Sequence, residues 1–408
     1  MRHPALPLAL ALALSTAAAG CAKADSSAPR EGGPLETRPP NTDYKPAFPG
    51  QTRAPAVRSD VALQVTPAVT GLDRPWAVDF LPGGEMVITE LEGRMRIAGR
   101  DGRLSAPVAG LPKVDARGQG GLLDVAVDPD FGRNQTIFFS YSEPRQGGNG
   151  TALARARLVL GAEPRLEDVQ VIFRQMPTYD SDKHFGSRIV FAPDGTLFLA
   201  LGERSDVASR VHAQDLDSHF GKIVRINKDG SVPNDNPFVG KAGARPEIFS
   251  YGNRNVQAAA LHPDTGQLWV IEHGPRGGDE LNLIQAGKNY GWPVISYGIE
   301  YSGKKMPSGA TAREGMEQPN YYWDPVIAPS GMIFYTGELF PAWRNNIFVG
   351  ALDGQKLVRL VLEGEHVSGE EWLLQDQNER IRDVAQGPDG AIYVAVDGGS
   401  ILRLAPQR

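Results

Sequence analysis

A strand–turn–strand pattern that recurs six times constrains the fold of this chain more than any other feature. In each copy a short β-rich run leads through a turn containing Pro, Asp or Gly to a second β-rich run, and the copies lie at residues 76–90, 123–141, 188–202, 256–274, 331–352 and 381–397. The fifth copy is the loosest, because its proline, Pro341, is displaced toward the second strand. One hairpin cannot bury its apolar face alone, whereas hairpins stacked around an axis can. The pattern therefore predicts radial repetition.

The predicted fold is all-β: a six-bladed β-propeller with four-stranded blades and long loops on the face that carries the functional site. Residues 61–405 give about 58 residues per blade, more than the roughly 40–50 of common propeller repeats. The surplus is expected in loops, the longest of them on either side of the fourth copy. The 47 Gly and 32 Pro residues are dispersed, as many short strands joined by turns require. The competing architecture is a pair of β-sandwiches, which the regular turns disfavour.

The first 60 residues are predicted to lie outside this domain. The apolar run 6–19 has the length of a signal-peptide core and is followed by small residues before Cys21, the only cysteine. Residues 1–21 are predicted to be a signal peptide with a lipoprotein-type cleavage site, giving an exported, periplasmic protein anchored through a lipid on Cys21. Ordinary cleavage to a soluble periplasmic protein is the open alternative. Residues 22–60, rich in Pro, Ser and Gly, are predicted to be a flexible tether.

Several function classes are disfavoured by what the sequence lacks. The net charge is −6 and no basic stripe is visible, which argues against a nucleic-acid partner. The seven histidines show no zinc-ligand spacing. A G-x-S-x-G nucleophile elbow and a G-x-G-x-x-G dinucleotide loop are both missing, which argues against a serine hydrolase and a nicotinamide enzyme.

Chemically useful side chains recur just before the first strand of several copies. Gln119, His184, Arg254 and the pair Arg380 and Arg382 occupy such positions. Equivalent positions of successive blades surround one axis, so these residues are predicted to form one pocket at one mouth of the propeller. Histidine is the usual general base near neutral pH. Arginines two apart on an extended chain face the same way, so an anion between them is plausible. Taken singly, each residue is equally typical of a solvated loop.

The segment 272–293 combines glycines with two adjacent carboxylates, Asp279 and Glu280. Free carbonyls and carboxylates are the hard oxygen ligands that calcium prefers. The spacing is not that of an EF-hand, so from spacing alone an acidic loop with capping roles stays open.

At these residues the sequence resembles the soluble pyrroloquinoline quinone (PQQ)-dependent aldose sugar dehydrogenases and their relatives, the soluble quinoprotein glucose dehydrogenases. The resemblance covers nearly all of residues 61–405 and is carried by the strings 118–129, 184–188, 253–255, 272–282, 287–293 and 380–384. It implies PQQ- and calcium-dependent oxidation of an aldose at C1 to the lactone. The resemblance also implies an external electron acceptor, either the quinone pool or a redox protein, that reoxidises the reduced cofactor. Short propeller edges favour a monomer.

The resemblance also implies roles for individual positions. His184 is implied to take the proton of the C1 hydroxyl while hydride passes to C5 of the quinone, with Arg254 and Gln119 assisting beside the reacting atoms. The residues implied to contact the quinone are Gln119, Arg254, Asn255, Tyr301, Ala351, Leu352, Arg380, Ile381 and Arg382. Those implied to hold calcium are Gly274 and Pro275 for a catalytic ion, and Glu280 and Tyr290 for a structural one.

Two positions depart from the family pattern. Asp353 stands where the family often has a lysine, and Lys356 follows three positions later. A quinone contact by Lys356 requires that loop to bend inward. His273 stands where the glucose dehydrogenases tend to have glutamine, which bears on substrate preference and loop geometry.

Two further functions stay open from the sequence. One is a non-catalytic propeller lipoprotein that binds a glycan or a protein, since fold alone cannot choose a function. The other is a calcium-dependent lactonase-type hydrolase, which leaves the paired arginines without a role.

Overall fold

The computed structural model describes residues 32–407, of which residues 63–406 form a six-bladed β-propeller. The innermost strands of the blades pack against one another in a closed ring around the axis. The predicted all-β, six-bladed architecture is therefore confirmed. Each of the six sequence copies forms the two inner strands of one blade. The outer strands come from the segments between copies, except in blade 6, where they come from before the first copy and after the last.

The strands of the first three blades run outward from the axis in chain order. Blade 1 has β2 (Pro75–Phe80), β3 (Met86–Glu90) and β4 (Arg94–Ala98). Blade 2 has β5 (Leu122–Val127), β6 (Thr136–Arg145), β7 (Gly148–Val159) and β8 (Arg165–Arg174). Blade 3 has β9 (Gly186–Phe191), β10 (Thr196–Leu201), β11 (Lys222–Asn227) and β12 (Ile248–Tyr251).

The remaining blades follow the same antiparallel order. Blade 4 has β13 (Val256–Leu261), β14 (Leu268–Glu272), β15 (Asp279–Ile284) and β16 (Tyr321–Trp323). Blade 5 has β17 (Pro329–Phe334), β18 (Ile347–Ala351), β19 (Lys356–Glu363) and β20 (His366–Leu373). Blade 6 has β21 (Ile381–Gln386), β22 (Ile392–Val396) and β23 (Ser400–Pro406), with β1 (Leu63–Val69) as its outermost strand.

The ring is closed by strands from both ends of the domain. The early strand β1 pairs antiparallel with the last strand, β23. Blade 1 consequently has three continuous strands, and a short bridge from Ala98 to Leu104 extends it at the outer edge. Pairing the two ends of the domain in one sheet ties the first blade to the last.

In the described part of the chain, residues 32–407, helical structure is confined to short segments of three or four residues. The helices are α1 (Phe131–Asn134) and α2 (Val207–Arg210), with 3-10 turns at Val211–Gln214, Pro341–Trp343 and Gln375–Gln377. Within residues 32–407, no helix is long and apolar enough to cross a membrane.

Buried carboxylates latch several neighbouring blades together close to the axis. Each latch is a side chain of one inner strand that accepts a backbone N–H of the next inner strand: Asp383 from Val78 at 2.9 Å, Asp79 from Val127 at 2.7 Å and Asp124 from Ile189 at 2.7 Å. One guanidinium, that of Arg188, bridges Asp124 at 2.9 Å and Asp383 at 3.0 Å. These bonds stitch blades 6, 1, 2 and 3 around the floor of the central channel.

The segment before the propeller differs from the predicted flexible tether. From residue 32 onward it packs on the outer edges of blades 4 and 5, where Thr52 bridges to Tyr322 and Ala56 to Glu370. Gln51 and Ala54 are fully buried. Low apolar content shows that a segment cannot build its own core, but its backbone can still pair with sheet edges that other strands have built. The tether prediction is therefore wrong for residues 32–60. The predicted signal peptide and Cys21 lie outside the described residues.

Candidate active site

The loops that enter the inner strands enclose a cavity of about 480 Å³ at one mouth of the central channel. All six blades contribute to its wall. The lining residues are Arg74, Trp76, Leu91, Gly118, Gln119, Leu123, Phe185, Gly186, Gln257, His273, Ala328, Leu352, Arg380, Arg382 and Asp397. The cavity has the size typical of a small-molecule site. Gln119, Leu352, Arg380 and Arg382 thus line one cavity, and His184 precedes its wall residue Phe185.

His184 lies at the entrance to β9 and pairs with a buried glutamate. Its Nδ1 is 3.0 Å from Oε2 of Glu203, which follows β10. Both side chains are buried, and the backbone of His184 adopts a left-handed conformation with φ 50°. Within residues 32–407, Nε2 of His184 has no hydrogen-bond partner. The carboxylate therefore fixes the tautomer with Nδ1 protonated and leaves Nε2 as an acceptor.

The electrostatic surroundings keep this pair ready to accept a proton. Burial lowers the pKa of His184 below its usual range, and the charge of Arg254 lowers it further, against the opposing effect of Glu203. Burial by itself raises the pKa of Glu203, but contact with His184 and the charge of Arg254 hold that pKa below its usual range. At neutral pH the imidazole is neutral and the carboxylate ionised, which is the state a general base needs.

Two amides hold the histidine loop in place. Oε1 of Gln119 accepts the backbone N–H of His184 at 2.9 Å. Oδ1 of Asn255 accepts the backbone N–H of Gly186 at 3.2 Å. Residues of blades 2 and 4 therefore fix the position of the blade 3 loop, as expected if their entrances surround one axis.

Arg254 sits between His184 and the glycine-rich loop that follows β14. Its Nη1 donates to the carbonyls of His273 at 2.9 Å and Gly274 at 2.7 Å. Its buried Nε has no partner in the part of the chain that the structure describes. The guanidinium also lies 5.1 Å from the ring centre of Trp292. Part of its donor capacity therefore remains unused.

The two predicted carboxylate-binding arginines differ in their surroundings. Arg380 is half exposed and pairs with Asp397 at 3.2 Å. Arg382, on β21, forms no ion pair or hydrogen bond with any residue from 32 to 407. Burial lowers the pKa of Arg382 to about 10, which still leaves it protonated at neutral pH. A cavity-lining cation without a protein acceptor is a site for an anionic group.

Two carboxylates face each other where the glycine-rich loop begins and ends. Glu272 on β14 and Glu280 on β15 are directly opposite in the antiparallel pair. Burial raises the pKa of both, and the charge of Glu272 raises that of Glu280 further. Like charges directly opposite each other destabilise a sheet unless a cation or a proton lies between them.

The other predicted calcium-binding residues border the same place. A small cavity of about 10 Å³, room for about one small ion or water, is lined by Glu272, Gly274, Pro275, Glu280 and Tyr290 among others. The hydroxyl of Tyr290 donates to the carbonyl of Leu283 at 2.7 Å. A metal contact by Tyr290 is therefore left to its main-chain carbonyl. Across residues 32–407, no group of three or more His, Cys, Asp or Glu side chains is arranged to hold a metal, so backbone oxygens are needed.

Five of the predicted quinone contacts do not line the larger cavity: Arg254, Asn255, Tyr301, Ala351 and Ile381. Arg254 borders the smaller one instead. Ala351 and Ile381 are buried in the apolar cores of their blades. Tyr301 is 72% exposed, and its hydroxyl is 3.5 Å from Arg254. It lies at the rim rather than in the cavity wall.

Neither candidate for the family's lysine position reaches the cavity. The backbone N–H of Asp353 bonds to Ile327, and its carboxylate faces Arg38 at 3.9 Å. Lys356 is buried on the outside of the blade, with Nζ 3.6 Å from the ring centre of Trp372. An inward bend that would bring Lys356 to the cavity is therefore absent.

His273 lines the cavity but is not a second base. It is partly buried, and its burial lowers its pKa to about 3. Its Nε2 donates to the carbonyl of Pro329 at 2.6 Å. This neutral side chain ties blade 4 to blade 5 at the cavity wall.

Two residues of the site were missed from the sequence. Glu203 immediately follows the third copy, and a carboxylate at the return end of the histidine's own hairpin was the available signal. Arg74 precedes the first strand of the first copy, the position that drew attention to His184 and Arg380 elsewhere.

Similar proteins and structures are described as sugar dehydrogenases. The family model described as Glucose / Sorbosone dehydrogenase matches residues 72–403. The chain is 46% identical over 341 residues to "Aldose sugar dehydrogenase YliI" of Escherichia coli, covering 82% of this chain and 91% of that protein. A crystal structure of a glucose dehydrogenase is 47% identical, with a TM-score of 0.82 over 84% of this chain and all of that one. The PQQ-bound form of an aldose sugar dehydrogenase from Streptomyces coelicolor is 28% identical, with a TM-score of 0.69 over 85% of this chain and 99% of that one.

Proposed function

The chain belongs to the glucose/sorbosone dehydrogenase family, and on that premise we propose that it oxidises aldose sugars at C1 to the lactone, using PQQ and calcium, with His184 as general base. The observation that carries the proposal is the buried His184–Glu203 pair beside a cavity whose Arg382 has no partner among residues 32–407. A proton acceptor and a binding site for an anionic cofactor are the two things that this oxidation requires of the protein.

His184 supports the proton transfer through its free nitrogen. Nε2 accepts the proton of the C1 hydroxyl, while Glu203 stabilises the imidazolium that forms at Nδ1. Gln119 keeps the histidine loop in register by accepting its backbone N–H. When bound, PQQ supplies the two-electron acceptor for the hydride that leaves C1. Arg254 places positive charge beside the reacting groups.

The cavity suits PQQ because this cofactor is a flat tricarboxylate. The guanidinium groups of Arg382 and Arg380 can donate hydrogen bonds to its carboxylates, and that of Arg382 donates none to any residue of the described chain. Arginine binds a carboxylate through two parallel hydrogen bonds, so a close pair of arginines fixes orientation as well as charge.

Calcium suits the loop between β14 and β15. The opposed carboxylates Glu272 and Glu280 and the carbonyls of Gly274 and Pro275 border one small cavity and are hard oxygen ligands. Because this cavity has room for about one ion, Glu280 and the carbonyl of Tyr290 would hold a structural ion inside it, and the carbonyls of Gly274 and Pro275 would hold a catalytic ion outside it, toward the quinone. A calcium ion there would act as a Lewis acid toward the cofactor's oxygens.

The protein's surroundings follow from the same proposal. The reduced cofactor needs an external electron acceptor, either the quinone pool or a redox protein. Export to the periplasm, a lipid on Cys21 and a monomeric state remain part of the proposal, and a mass measurement of the protein purified from membranes tests the lipid.

The experiment is dye-linked oxidation of glucose and other aldoses by the full chain, with PQQ and calcium added separately and together. Activity that appears only when both are present supports the proposal. Absence of activity, together with loss of all PQQ absorbance on desalting, would replace it with a non-catalytic binding propeller. Lactone hydrolysis without PQQ would replace it with the hydrolase.

A further inference from the structure

The first blade carries a cation that has no assigned role. Arg74 lies immediately before β2, as Arg380 does before β21, and His184 lies two residues before β9. It lines the same cavity as Arg380 and Arg382, and its blade is the neighbour of theirs, since β2 packs against β21. The wall of the cavity therefore holds three arginines against one carboxylate, Asp397.

The backbone of Arg74 is held in a conformation typical of functional positions. Its φ is 48°, in the left-handed region that residues other than glycine adopt only at a cost. Three blade entrances share this geometry with a non-glycine residue: Arg74, His184 with φ 50° and Ala328 with φ 48°. The carbonyl of Arg74 accepts the N–H of Leu91, another cavity residue. This bond fixes the turn that presents Arg74 at the rim.

The ion pair that Arg74 forms within the protein does not explain why an arginine occupies this position. Its guanidinium pairs with Glu92, and both side chains are close to half exposed, at 47% and 43%. Exposed pairs of this kind contribute little stability. A ligand carboxylate in the cavity can therefore replace or share this partner at small cost.

We propose that Arg74 is a third cationic contact for the carboxylates of the quinone, completing with Arg380 and Arg382 a set of three arginines for three carboxylates. The inference rests on the proposed function, because it assumes PQQ as the ligand. It gives blade 1 a part in cofactor binding. It also supplies positive charge that Asp353 and the outward-facing Lys356 do not bring to the cavity.

The test is the dissociation constant of PQQ for the full chain with calcium present, followed by quenching of tryptophan fluorescence, since Trp76 lines the cavity. Arg74→Gln is expected to weaken PQQ binding about tenfold. The matched control is Arg117→Gln, an exposed arginine that pairs with Asp115 and Asp180 outside this cavity. It is expected to change affinity less than twofold.

An Arg74→Gln affinity within twofold of wild type would overturn the inference while leaving the proposed function intact. Failure of the wild type itself to bind PQQ would overturn both. If Arg74→Gln does not fold, Glu92→Gln decides, because it removes the competing carboxylate and keeps Arg74. Tighter PQQ binding in Glu92→Gln supports the contact, and unchanged or weaker binding overturns it.

Discussion

Two buried histidines of blade 3 each pair with a glutamate, but they differ in whether the second ring nitrogen also has a hydrogen-bond partner. His219 contacts Glu247 through Nε2 at 2.6 Å and accepts the N–H of Met176 through Nδ1 at 2.9 Å. His184 contacts Glu203 through Nδ1, and its Nε2 is left over within residues 32–407. A histidine with both nitrogens engaged holds the fold together, whereas one with a free nitrogen can accept a proton.

The arginines of the central channel repeat this contrast. Arg188 at the floor bridges Asp124 and Asp383, whose other oxygens accept backbone N–H groups of the next blade. Arg382 at the mouth has no acceptor in the described chain. The charged groups at the floor of the channel are therefore paired with one another and close the ring, whereas Arg382 at the mouth is available to bind a ligand. Hydrogen-bonding groups without a protein partner, rather than buried groups in general, identify the functional region.

The largest expected effect separates the two histidines. His184→Ala is expected to lower kcat about a thousandfold while PQQ binding and unfolding remain close to wild type, because only the proton acceptor is lost. His219→Ala is the matched control, since it removes an equally buried His–Glu pair and should lower stability while leaving substantial turnover. Full activity in His184→Ala would remove the basis for the distinction.

The next largest expected effect is the loss of stability when Arg188, at the floor of the channel, is replaced. Arg188→Met leaves Asp124 and Asp383 buried without their cation and is expected to cost about 3–5 kcal/mol in the free energy of unfolding. Arg403→Met removes a surface pair with Asp389 and should cost less than about 1 kcal/mol. Denaturant titration of both variants measures this. Equal costs would show that the floor network is not a structural latch.

At the mouth of the channel, removing an arginine is expected to weaken ligand binding rather than lower the stability of the fold. Arg382→Gln is expected to weaken PQQ binding about a hundredfold. Because Arg382 has no protein partner in the described chain, its loss should leave the free energy of unfolding unchanged or slightly raised. Fluorescence titration and denaturant unfolding of one preparation check both. A large loss of stability would show that Arg382, like Arg188, has a structural role.

The smallest effect is on the pH profile. Burial and the charge of Arg254 lower the pKa of His184, so the neutral, active imidazole persists below pH 6.5. The acid limb of kcat/KM is therefore expected to lie below pH 6.5, with little change in rate between pH 6.5 and 7.5. A limb at or above pH 7 would contradict the base assignment.

The fold was predictable from the sequence because each hairpin carries its own turn signal and apolar strands. The proximity of His184, Arg254 and Arg382 at one mouth of the propeller was predictable, because equivalent positions of successive blades surround one axis. Glu203 was not, since its role depends on a return strand bringing it beside His184. The packing of residues 32–60 was also hidden, because Ala56 and Thr52 pair with sheet edges formed far along the chain.

The most direct test of the account is a single anaerobic turnover. The full chain, loaded with PQQ and calcium, is mixed with an aldose, and quinone reduction is followed by absorbance alongside the lactone formed. We expect one lactone per quinone reduced in the wild type, and almost no reduction in His184→Ala carrying the same amount of PQQ. Equal reduction by the two proteins, or quinone reduction without lactone, would contradict the account.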